Sequence, residues 1–167
     1  SIVVVESESG VRVQRAPGLY SRLRMHCETV GTELNIEGAV IQGHRLRLFQ
    51  RGNGARVADV QSGSLVFDVD LARLLRWLDG RGPVPDVTDV LSVDLGAIDG
   101  VPFGFTDAAV VNDGRIAFVA CAEESVNVRG DGPVIGCRFG WLDDAGAQVT
   151  DVIGSDGDAT PVKREWI

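Results

Sequence analysis

Three carboxylates carry the chemistry this sequence offers. Glu37, Asp107 and Glu165 stand at one position of segments that copy one another. When copies of a short unit are laid side by side, matching residues point at a common axis. Carboxylates gathered there repel, and their pKa values rise unless a cation or a proton intervenes. Hard divalent cations such as calcium take oxygen ligands of this kind. A cation so held polarises an ester or phosphoryl oxygen, or activates water. The same acids have a second use: they can accept backbone N–H groups of a neighbouring strand and hold the copies in register. Both readings stand at this level.

Other polar residues offer less. Glu123, Glu124, Asn127 and Asp131 form a second acidic stretch, read as a solvated connection. His26 and His44 have no partner in the sequence, and His44 falls in a turn. A Ser-His-Asp order, a Walker loop and a His-rich metal motif are absent. Arg22, Arg24, Arg45, Arg47 and Arg51 are the densest basic group, either one anion-binding edge or a solvated strand face.

The elements that must position these residues are short strands. Glu37 to Gln50 maps without a gap onto Asp107 to Ala120, 70 positions on. Ala39, Val40 and Arg45 meet Ala109, Val110 and Arg115; Gln42 and Leu46 meet Asn112 and Ile116. In the first copy, Ile36 to Ile41, Arg45 to Arg51, Ser64 to Asp70 and Asp86 to Leu95 read as four strands. Gln42-Gly43-His44 reads as the first turn. Small residues at Gly38 and Ala39 suit a crowded position near an axis. In the second copy the strands are Phe105 to Val111, Arg115 to Ala122, Pro133 to Leu142 and Gln148 to Ile153, with a turn at Asn112-Asp113-Gly114. Ile116 to Ala122 is apolar on both faces, as a strand pressed between two sheets would be. Between the third and fourth strands of the first copy, Leu71, Leu74, Leu75 and Leu78 recur at helical spacing. Asp70 is placed to cap that helix and Gly80 to end it.

The expected fold is all-β: repeated four-stranded antiparallel blades of a partial β-propeller, with one short inserted helix. Residues 35–100 form one blade and 101–160 the next. Residues 1–34, with Ile2 to Val5, Val11 to Arg15 and Arg22 to Cys27, read as outer strands of a preceding blade. Residues 161–167 read as the start of a further one. A ring of at least four blades would then need missing blades or a second copy of the chain, so a homo-oligomer is the expected partner.

Composition sets bounds. The 167 residues suffice for one domain, and 44% of them are hydrophobic. With 16 basic against 24 acidic residues the net charge is -8, which disfavours nucleic acid as a partner. No stretch is long and apolar enough to span a membrane, and no signal peptide is evident, so the expected location is the cytoplasm. Cys27, Cys121 and Cys137 are odd in number and form no CxxC pair, so each is expected as a small buried hydrophobe, not in a disulfide or zinc site.

Glu37-Gly38-Ala39-Val40, the turn, and Arg45-Leu46-Arg47-Leu48, together with Asp113-Gly114-Arg115-Ile116, resemble the first hairpin of six-bladed propellers of the gluconolactonase-like and phytase-like group. With Phe49 to Asn53 and Pro102 to Asp107 added, the chain looks like an uncharacterised bacterial propeller family. In gluconolactonase-like proteins a Glu before Gly binds a divalent metal in the central channel, and Glu37-Gly38 matches that position. Asp107 and Glu165 precede Ala108 and Trp166 instead. The expected function is therefore a ligand- or protein-binding module. The alternatives are a divalent-metal-dependent hydrolase of a lactone, ester or phosphoester, and a truncated propeller product that self-associates.

Overall fold

The structure, a computed structural model, describes residues 2–6, 10–52, 63–124, 132–143 and 146–152. These residues are predominantly antiparallel β, and among them there are two helices. Strands β1 (Ile2–Glu6) and β2 (Gly10–Gln14) pair as a hairpin. Helix α1 (Pro17–Thr29) follows. The expectation of a strand over Arg22 to Cys27 is thus corrected: that stretch is the body of α1. Leu19, Leu23 and Cys27 recur every fourth residue and are buried, so the burial period is helical rather than two-fold. Pro17 suits the first turn, where its missing N–H costs nothing. At the other end Gly31 takes φ 66°. It donates to the Glu28 carbonyl while Thr32 donates to that of Cys27, closing the last turn.

The first sheet has the order β3 (Ile36–Gln42), β4 (Arg45–Gln50), β5 (Ser64–Asp70), β6 (Val87–Val93), all antiparallel. Helix α2 (Leu71–Leu78) interrupts it after β5, where the leucine spacing placed it. The Asp70 carboxylate accepts the Arg73 N–H at 2.8 Å, satisfying one of the free donors of the first turn. The second sheet runs β7 (Ala97–Ile98), β8 (Val101–Val110), β9 (Ile116–Glu123), β10 (Val134–Asp143), β11 (Gly146–Asp151). The four strands read from each copy are all present, with ends displaced by a few residues.

Layering follows from the alternation of side chains along each strand. Leu48, Leu65, Phe67 and Val69 face outward from the first sheet and are covered by Leu19, Leu23, Leu74 and Leu78 of the two helices. Phe49, Val66 and Val93 face inward and meet Phe105, Ile116 and Phe118 of the second sheet. Phe105 sits edge-on to both Phe49 and Phe118, with ring centroids 5.0 and 5.1 Å away. Each such pair adds about 0.5–1.5 kcal/mol to the area buried.

The two sheets stack front to back. Phe49 points into the junction, and its counterpart 70 positions on, Val119, points away from it. Leu48 points away from the junction, and its counterpart Phe118 points in. A face-to-face sandwich related by a two-fold axis would bring counterparts together instead. At the junction β3 passes close to β8: a Cβ on Gly38 would stand 3.2 Å from the Ala108 nitrogen. The small residue expected near a crowded axis is therefore where two strands approach, while Ala39 is exposed.

The outer face of the second sheet holds Val119, Cys121 and Cys137, all buried. Cys121 and Cys137 are joined in a disulfide, which corrects the expectation of three free thiols. The pairing register sets them directly opposite on β9 and β10, with Cα atoms 4.1 Å apart. An odd count says nothing about which two cysteines a register brings together. Cys27 alone stays free, buried in α1 as a small hydrophobe. No helix among the described residues is long and apolar enough to cross a membrane.

Candidate functional site

The expected carboxylates are positioned by two bulges. In β3 the ladder pairs Ile36 with Gln50 and then Gly38 with Phe49, so Glu37 is the extra residue. In β8 it pairs Phe105 with Ala120 and then Asp107 with Val119, so the extra residue is Thr106. The cause lies in the hairpins. Gly43-His44 is a two-residue loop after the Gln42–Arg45 pair. The second hairpin closes with Val111 donating to the Arg115 carbonyl around a three-residue turn, Asn112-Asp113-Gly114. The Glu37 carboxylate accepts the Asn35 amide at 2.8 Å and lies 3.7 Å from the Arg51 guanidinium. The Asp107 carboxylate accepts the Ala108 backbone N–H at 2.8 Å. Glu165 lies outside the described residues, as do Asn127 and Asp131. Among the described residues no group of three or more His, Cys, Asp or Glu side chains is arranged to hold a metal ion.

Glu123 is not part of a solvated connection. It ends β9, and its carboxylate meets the Arg51 guanidinium at 2.7 Å, both side chains being 4% exposed. Of the other sequence-selected arginines, Arg47 is buried on Asp68, with Nε–Oδ1 at 2.8 Å, and Arg45 shares that carboxylate at 3.0 Å. Arg22 pairs with Asp86. These arginines form neither a common anion-binding edge nor a plain solvated face. Arg45, Arg47 and Asp68, with Asp89 and Asp143, line a cavity of about 120 Å³ between the sheets, where the opposite charges answer one another. His26 is half-buried with its ring 6.1 Å from Phe67, and His44 is an exposed turn residue.

A roomier cleft of about 310 Å³ opens between α2 and the segment that follows it. α2 buries Leu74 and Leu78 against the first sheet, which turns Arg73 and Arg76 outward on adjacent turns. The chain then reverses. Asp79 donates to the Leu75 carbonyl, Gly80 takes φ 71°, and Arg81 donates to the Arg76 carbonyl at 2.8 Å. Arg81 therefore returns to the side of Arg73 and Arg76. Pro83, Val84 and Pro85 form an apolar wall whose φ angles the prolines restrict. α1 abuts this wall: a Cβ on Gly18 would stand 2.8 Å from Val84 Cγ2.

The charge in the cleft is uneven. The Arg81 guanidinium meets Asp79 at 2.6 Å, and Asp86 is taken by Arg22. Arg73 and Arg76 have no carboxylate partner among the described residues. The leucine spacing marks the helix but does not mark the cleft beside it. The available signal was three arginines between positions 73 and 81 of an acidic chain, followed by Pro83-Val84-Pro85.

Residues 1–166 match the family described as "Family of unknown function (DUF6910)", and the chain belongs to that family. No curated protein and no solved structure matches it.

Proposed function

We propose that this member of the DUF6910 family is a binding module. Two propeller-type antiparallel sheets, one of four strands and one of four with the short β7 added at its edge, stack front to back, are covered by helices on one outer face, and form a rigid support. The ligand site is the cleft between α2 and residues 79–86. The observation that carries this reading is a 310 Å³ cleft whose polar lining and apolar wall both belong to fixed backbone: a capped helix on one side and a proline-rich return on the other. Clefts with a few placed polar groups on a rigid frame are the usual form of small-molecule sites. The front-to-back relation of Phe49 to Val119 and of Leu48 to Phe118 supports the blade reading of the sheets.

The test is amide chemical-shift mapping with a panel of small fragments of differing charge. Binding is expected to perturb residues 73–86 and α1 near Gly18 in a saturable way. Fragments that bind only elsewhere, or none that bind at all, would count against the site.

A further inference from the structure

We infer that the ligand of this cleft carries a dianionic group, as a phosphate monoester does, attached to a small apolar body. The inference rests on the binding reading above and adds the chemistry of what is bound. Four arginines, Arg22, Arg73, Arg76 and Arg81, stand in or beside the cleft with two carboxylates, Asp79 and Asp86. The two carboxylates are each engaged by one arginine, and two positive charges remain on Arg73 and Arg76. One dianion matches that surplus. The surplus is conspicuous in a chain whose net charge is -8.

Arginine suits this purpose better than lysine, because its planar fork presents parallel N–H donors to phosphate oxygens. Arg73 and Arg76 are three residues apart on one helix, so both guanidinium groups can reach a single group placed over α2. The Pro83-Val84-Pro85 wall offers no hydrogen-bond donor from a proline nitrogen and exposes carbon to the cleft. It therefore suits the non-phosphate part of the ligand. A volume of about 310 Å³ limits that part to a small ring or chain.

A rival account is that Arg73 and Arg76 are simply solvated helix residues. The two accounts differ in their response to ligand charge. Phenyl phosphate, benzoate and phenol share one ring and carry about two, one and no negative charges at pH 8. Titration calorimetry at low ionic strength is expected to rank them in that order, with phenyl phosphate at least tenfold tighter than benzoate. The Arg73→Gln/Arg76→Gln protein should lose at least tenfold in phenyl phosphate affinity, while Arg24→Gln, on α1 outside the cleft, should not. Glutamine is a good helix former, so α2 is retained, and an unchanged melting temperature would verify that. Added salt should weaken the binding. Equal affinity for the three probes, or an unchanged affinity in the double variant, would overturn the dianion. If phenol alone shifts the amides of residues 73–86, the dianion fails and the binding module stands. If no probe of any charge shifts them, both fail.

Discussion

Arg51 and Glu123 lie 2.7 Å apart across the junction of the two sheets, and neither reaches solvent appreciably. Arg51 follows β4 and Glu123 ends β9, so the pair ties the end of one sheet to the end of the other. The guanidinium nitrogen and the carboxylate oxygen are close but not aligned as a hydrogen bond, so the contact works through charge. Arg51 also packs over Gly104, where a Cβ would collide with the Arg51 backbone. Taking away one charge removes the nearest counter-charge of the other, which stays buried (Arg51 keeps only the more distant Glu37, at 3.7 Å), and breaking a buried pair in this way costs up to about 3–5 kcal/mol. Arg51→Met and Glu123→Gln are each expected to lose about that much stability in urea denaturation. The Arg51→Met/Glu123→Leu protein should recover most of it. A double variant less stable than either single one would show that the pair contributes net stability rather than register.

The disulfide predicts a thiol count. Denatured without reductant, the protein should titrate one thiol per chain, that of Cys27; after reduction it should titrate three. The bridge closes a loop with a sequence separation of 16, for which the chain-entropy account gives about 3 kcal/mol. A Cys121→Ser/Cys137→Ser protein should therefore melt at a lower temperature. Disulfides persist in oxidising compartments and are rare in the cytosol. Cells lysed in an alkylating agent would decide between them. One labelled cysteine fits an oxidising location, and three would restore the expected cytoplasmic one.

The cap of α2 predicts a graded response. Asp70→Ala removes the acceptor of the Arg73 N–H and should cost about 1 kcal/mol. Asp70→Asn keeps an oxygen in place and should cost much less. Equal losses in the two variants would mean that the charge of Asp70, not its cap, is what matters. Urea midpoints at constant slope give the comparison.

Strands and α2 were legible because their signals are local. Arg45 to Gln50 alternates, and Leu71, Leu74, Leu75 and Leu78 recur between a capping Asp and a stopping Gly. α1 was not, because Arg22 to Cys27 shows too few apolar residues to fix a period by itself. Its burial at Leu19, Leu23 and Cys27 is decided by the face of β5 and β4 that it covers. The disulfide depended on register across a loop, which spacing cannot supply. Glu37 aligns with Asp107 without a gap in the sequence, yet the ladder places its bulges on Glu37 and Thr106, 69 positions apart, because the second hairpin turn is one residue longer. The arginine cleft needed the reversal at Gly80, which brings Arg81 back beside Arg76.

Cys27 predicts how stability depends on alkaline pH. Burial, aided by the charge of Glu28, pushes its thiol from 9.0 up to about 11. The folded chain therefore keeps the proton where the unfolded chain gives it up. Below about pH 9 both states are protonated and the contribution is whole. Between pH 9 and 11 the unfolded state ionises first, binds fewer protons, and gains relative to the fold, so stability falls as pH rises. The difference between wild type and Cys27→Ala isolates the thiol from everything else that changes with pH. The wild type should lose more stability than the variant across that window, measured by urea denaturation at each pH. At pH 8 the folded protein should resist iodoacetamide at Cys27 and react once denatured, since the thiolate is the nucleophile and burial withholds it. Parallel stability curves for the two proteins, or rapid labelling of the folded one, would show that α1 opens readily enough to expose the thiol.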